Sequence, residues 1–175
     1  MSKKRALVLA GGGSRGSHQA GMLKYVGEVA PTLWPGGFDL VSGCSVGGIN
    51  GVGIAMYTPQ MFKEATEFVV NMWYEHITRT SDVWKLRFPA GIPGLWNPSV
   101  GKNGQLKQLL EKLVDVKAVQ KSGVQLRLAA VDMVSGDLVT YSNEHLEVYG
   151  VDPIMASASY PLAFPPVEVG ERWLS

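Results

Sequence analysis

The sequence predicts an α/β protein: one domain with a central, mostly parallel sheet and helices on both faces, three layers (α/β/α) in all. Three observations carry this. Short apolar runs alternate with longer stretches whose apolar residues recur at helical spacing. Two of those runs end in glycine clusters that open directly into helices, the strand–turn–helix step of a parallel sheet. The 175 residues, 46% apolar and 18% charged, suit a single globular core.

In chain order, residues 6–10 are a continuous apolar run and read as a buried parallel strand. Residues 17–29 place Ala20, Leu23 and Val26 near one face, with Lys24 and Glu28 elsewhere, which predicts a helix. Pro31, Pro35, Gly36 and Gly37 mark a turn, and residues 38–42 form a second strand. Residues 46–56 read as a helix despite four glycines; it carries no charge, so it should be buried all round. Thr58-Pro59 opens a helix to about Tyr74, with threonine as N-cap and proline in the first turn. Residues 76–102 are irregular and rich in proline, glycine and tryptophan. Residues 104–114 set Leu106, Leu109, Leu110 and Leu113 on one helical face. Residues 125–131 and 138–142 form a hairpin around 134–137. Asp152-Pro153 starts a helix to about Ala158, and 167–169 with 172–174 form a last hairpin.

Composition excludes several classes. A net charge of +1 argues against a broad nucleic-acid surface, and one cysteine excludes an internal disulfide framework. No apolar run approaches the ~18–20 residues of a membrane span. The basic start is followed by an apolar run too short for a secretory signal, so the expectation is a soluble, cytoplasmic protein. The histidines, cysteine and acids show no metal-ligand spacing.

Two glycine motifs carry the chemistry. Gly11-Gly12-Gly13-Ser14-Arg15-Gly16 satisfies G-x-G-x-x-G between a strand and a helix. Its amides and the helix N-terminus suit a pyrophosphate, and equally the oxyanion of an acyl-transfer intermediate. Gly43-Cys44-Ser45-Val46-Gly47 is G-x-S-x-G, a nucleophile elbow that lifts a serine above the end of a strand. Dinucleotide binding needs an acid at the end of the second strand, where this sequence has the elbow instead. A Ser45–Asp132–His145 triad can be written down, but Asp132 reads as a turn residue and His145 as a surface-loop residue. Cys44 reads as a small buried residue of the elbow rather than an activated thiol, and the methionines mostly as core filler.

These blocks, with "ASASYPLAFPPVEVG" at 156–170, resemble the patatin-like phospholipase family over nearly the whole chain. The resemblance implies an α/β sheet wrapped by helices and a serine acyl hydrolase of phospholipids, lysophospholipids or other lipid esters, working with a Ser–Asp dyad and no cofactor. It makes Ser45 the nucleophile and the loop Gly11, Gly12, Gly13, Ser14, Arg15 and Gly16 the oxyanion hole. The Arg15 side chain then either braces the loop or meets lipid phosphate. The family's aspartate lies in a D-G-[GA] motif a few residues beyond "FPPV…G". No Asp-Gly pair occurs here, so the expectation is a single domain, 1–175, whose general base falls just after Ser175. Two other readings remain: a catalytically dead lipid-binding or scaffold domain, and a malonyl-transfer type of acyltransferase.

Trp84, Phe88 and Trp96 lie among Arg79, Lys85, Arg87 and Lys102, with Asp82 the only acid, a net +3 over 76–102. Aromatics among cations suit a lipid-facing loop and peripheral contact with a membrane. The final strand, lacking later neighbours, is expected to be open to pairing with another chain.

Overall fold

A computed structural model describes residues 4–33, 36–83, 85–86, 101–161 and 163–175. Trp84, Phe88 and Trp96, the expected lipid-facing loop, lie outside the described residues.

The core sheet contains β1 (Ala6–Leu9), β2 (Leu40–Cys44), β5 (Gln125–Val131) and β6 (Leu138–Tyr141), in the order β1-β2-β5-β6. β1, β2 and β5 are parallel, and β6 closes antiparallel on β5 as the hairpin the sequence predicts. Register sets Leu7, Val41 and Leu126 in one row and Leu9, Gly43 and Leu128 in the next. These rows face the core, where Val41, Leu126 and Leu128 are fully buried. A strand alternates its faces, so Val8 and Cys44 point the other way. Val8 is 75% exposed and Cys44 is exposed too. β1 is therefore a half-open edge strand rather than the buried one expected, and Cys44 is not a buried filler. The all-apolar run 6–10 hid the difference between the two faces.

The glycine loop turns once as a 3-10 helix (Gly13–Arg15) and continues into α1 (Gly16–Leu33). The elbow continues into α2 (Val46–Ala55), all ten residues of which are buried. On its sheet side the glycines permit close approach: a methyl at Gly47 would overlap the Leu9 carbonyl oxygen, and one at Gly51 would come 3.1 Å from Val41 Cγ1. On its other side lie α1 and α3 (Phe62–Asn71), so α2 is enclosed on both flanks. This is why a helix with no charge can exist here.

The expected helix from Thr58 to Tyr74 is broken into three windings: a 3-10 turn (Pro59–Met61), α3, and a π turn (Met72–His76). The π turn closes with an Ile77 N–H to Met72 C=O bond of 3.1 Å. Beyond it come α4 (Thr80–Val83) and the antiparallel pair β3 (Lys85–Leu86) and β4 (Gly101–Lys102). α5 (Gly104–Leu113) buries Leu106 and Leu110 as predicted. Two helices were not expected. α6 (Val116–Lys121) is capped by Asp115, which accepts from the Ala118 amide. α7 (Asn143–Tyr149) opens with a capping box in which His145 Nδ1 lies 3.0 Å from the Ser142 amide. His145 is thus a helix-capping residue, not a loop residue.

α8 (Asp152–Ala158) lies where the sequence placed it, as do β7 (Val167–Val169) and β8 (Arg172–Leu174). β8 is not open to another chain as expected. β7 pairs one side of it, and the end of β5 covers the other through Val131–Ser175 backbone bonds and the Met133 N–H to Trp173 carbonyl bond. The methionines divide: Met72 and Met155 are core, while Met22, Met61 and Met133 are exposed.

Candidate active site

Ser45 sits between β2 and α2 with φ 54° and ψ −127°, the one non-glycine residue with positive φ among the described residues. Such a backbone costs about 1–3 kcal/mol and persists only where its surroundings over-determine it. Here they do. The Ser45 amide donates to Ser157 Oγ at 3.0 Å, and Ser157 is buried on α8. The Gly48 and Ile49 amides return to the Ser45 carbonyl at 2.8 and 3.2 Å, starting α2. A methyl at Gly43 would overlap the Gly47 carbonyl oxygen, so the turn closes only on glycine.

The glycine loop lies against this elbow. A methyl added at Gly11 would come 3.2 Å from Ser45 Cβ. One at Gly16 would overlap Val46 Cγ2 and the Trp73 ring, so the last glycine of the loop is where α1 meets α2 and the π turn. The Arg15 amide bonds the Gly12 carbonyl at 3.1 Å, and the Gly16 amide bonds back to Gly13 and Ser14. The first amides of a helix have no partner inside it, so those of Gly13 and Ser14 are free of helical bonds. The Arg15 stem lies over Gly12, and its side chain is exposed.

Ser45 opens into a cavity of about 430 Å³. Gly13, Ser14 and Ser17 line it beside Ser45, and Ile49, Trp73, Ile77, Leu106 and Phe164 supply apolar walls. Arg79 is its only charged lining residue among the described residues; no carboxylate or imidazole lines it there. Asp82 holds the backbone ahead of α4 by accepting from the Arg79 and Thr78 amides at 2.7 and 2.9 Å. Those bonds, the Arg79 amide foremost and the Thr78 hydroxyl with it, hold its carboxyl below the ordinary 3.8.

The other sequence candidates lie elsewhere. Asp132 spends its Oδ1 on the Val134 and Ser135 amides, the turn role expected of it, and its Oδ2 lies 3.9 Å from Arg172. With Asp132 in a turn and His145 in a cap, the written triad does not assemble. No group of three potential metal ligands occurs among the described residues. Sequence reasoning missed Asn50, Gln19, Trp73 and Ser157. A lone amide in the charge-free stretch 46–56 was the signal available for Asn50.

The sequence model of the family described as patatin-like phospholipase matches residues 7–175. The chain belongs to the patatin-like phospholipase family. The family is described as one of phospholipases. Among curated proteins, none matches the sequence significantly. Among solved structures, this patatin-like chain is similar to VipD from Legionella pneumophila, with a TM-score of 0.56 at 12% identity. The likeness covers 99% of this chain and 46% of the VipD chain, so the sequence spans about half of that protein. It shows the fold: three-layer α/β/α with a mostly parallel central sheet.

Proposed function

We propose that this patatin-like chain carries the nucleophile half of a serine hydrolase acting on lipid carboxylic esters. The observation that carries this reading is Ser45, held in a strained elbow beside the glycine loop at an apolar cavity. The acyl chain occupies the cavity, with its ester carbonyl carbon at Ser45 Oγ. As Oγ attacks, negative charge develops on the carbonyl oxygen, where the Gly13 and Ser14 amides meet it. The alcohol leaves with a proton, an acyl-enzyme remains on Ser45, and water hydrolyses it.

A serine hydroxyl needs a base to take its proton. The described lining residues offer none, and no Asp-Gly pair occurs in the sequence. We propose that the base is supplied by a residue outside this described lining, so that residues 1–175 alone turn over feebly. Loss of the base in a comparable serine site costs on the order of 10⁴–10⁶ in turnover. The same lining supports a second reading, a lipid-binding domain without catalysis.

A fluorophosphonate probe separates the two. Labelling that disappears in Ser45→Ala supports the hydrolase, and an unlabelled Ser45 in both this chain and a longer one supports the binding domain. Fast Ser45-dependent hydrolysis of a nitrophenyl ester by residues 1–175 alone would overturn the argument about the base. Peripheral membrane contact is a further part of the proposal. It rests on the aromatic and basic residues of 76–102, and binding to anionic vesicles that weakens with salt would support it.

A further inference from the structure

Asn50 is fully buried and is the only polar side chain of α2. Burying an amide is costly unless its groups are paired, and Asn50 is paired on every side. Its Nδ2 donates to the Gly16 carbonyl at 3.0 Å and to Gln19 Oε1 at 3.1 Å, and its Oδ1 accepts from Trp73 Nε1 at 2.8 Å. Gln19 then donates from Nε2 to the Ala10 carbonyl at 2.7 Å.

The two carbonyls at the ends of this network, Ala10 and Gly16, flank the glycine loop on either side. Both are thereby tied to the helix that begins at Ser45. We propose that Asn50 and Gln19 are positioning residues: they clamp both ends of the glycine loop to the elbow helix and so fix the loop's amides relative to Ser45. This rests on reading Ser45 as the nucleophile. Neither side chain touches the substrate. The chemistry requires an amide at Asn50, because the position must donate twice and accept once. Aspartate cannot donate, and an aliphatic residue can do neither. Trp73 belongs to the clamp through its indole N–H and to the cavity through its ring, so it links loop position to the acyl site.

The test uses the whole chain with Gln19→Met, which keeps the side-chain length, and Asn50→Ala as the harsher variant. Amide hydrogen exchange at Arg15 and Gly16, whose amides are bonded within the loop, is the first readout. It should speed up at least tenfold in both variants while β5 exchanges as before. Unchanged exchange at Arg15 and Gly16 overturns the clamp whatever Ser45 does. The second readout is the fluorophosphonate reaction. Its maximal rate constant should fall ~10–100-fold with the reagent's half-saturating concentration within twofold, since a misplacement of ~1 Å costs on the order of 10² in rate. An unaltered rate constant overturns the positioning role. Gln19→Glu keeps the acceptor for Asn50 and loses the donor to Ala10, so it should fall between wild type and Gln19→Met. A wild-type Ser45 that reacts neither in this chain nor in a longer one would refute the hydrolase reading, and the exchange result would still decide the clamp.

Discussion

Replacing Ser45 by glycine should make the protein more stable than replacing it by alanine, although both remove the hydroxyl. The elbow holds Ser45 at φ 54° and ψ −127°. Any residue with a Cβ is strained there, by about 1–3 kcal/mol. Alanine keeps the Cβ and the strain; glycine removes both. Against this, glycine gives the unfolded chain extra freedom worth about 0.4–1 kcal/mol. The balance favours Ser45→Gly over Ser45→Ala by about 1 kcal/mol. For a chain of 175 residues this corresponds to a melting temperature about 2–4 °C higher. Thermal unfolding of the two variants by circular dichroism under identical conditions measures it. A glycine variant that melts at or below the alanine variant would refute the claim that the elbow is strained at Ser45.

Ser157→Ala removes the acceptor of the Ser45 amide. A part-buried backbone donor left unpaired costs about 1 kcal/mol, the low end of the range for a buried one, so denaturant unfolding should shift by that much, and an unchanged midpoint counts against a supporting role for Ser157. Gly16→Ala forces a methyl into Val46 and the Trp73 ring; overpacking of this kind costs about 1–3 kcal/mol. It should also slow Ser45 labelling, and a variant with wild-type melting and labelling would contradict the close packing. Asp82 has its folded-state carboxyl below 3.8. Its hold on the Thr78 and Arg79 amides is therefore complete above 3.8 and lost as pH falls through the lower folded value. An NMR titration of the Asp82 carboxyl carbon should show a midpoint below 3.8, and one at or above it would refute those bonds.

The elements legible in the sequence were those with a strong local reason. The steps from strand to glycine turn to helix at 11–16 and 43–47 are readable because only such turns need glycines at that spacing. α8 is readable from Asp152-Pro153, and the last hairpin from Gly170-Glu171. The two missed helices are short, and one of them has an unusual start signal. α7 uses histidine, not glutamate, as the third residue of its capping box, and α6 has only six residues after Asp115. The exposed side of β1 was hidden because Val8 is as apolar as the buried Leu9. Within the site, Ser45 and the glycine loop could be read from spacing. The contacts of Asn50, Gln19, Trp73 and Ser157 could not, because all but the Gln19–Ala10 bond join residues far apart in the chain. The Ser45–Ser157 bond, for instance, spans 112 positions.

The π turn at Met72–His76 decides how this cavity responds to a change in residue number. Such a turn is an α-helical turn with one residue too many. Deleting the exposed Tyr74 would leave Ile77 four positions after Met72, so the bond between them becomes an ordinary α-helical one and the residues that follow keep their direction. Ile77, Thr78 and Arg79 would go on lining the cavity. The same one-codon deletion inside α3, which has no residue to spare, would turn everything after it by about 100° around the helix axis and exchange that wall for another set of side chains.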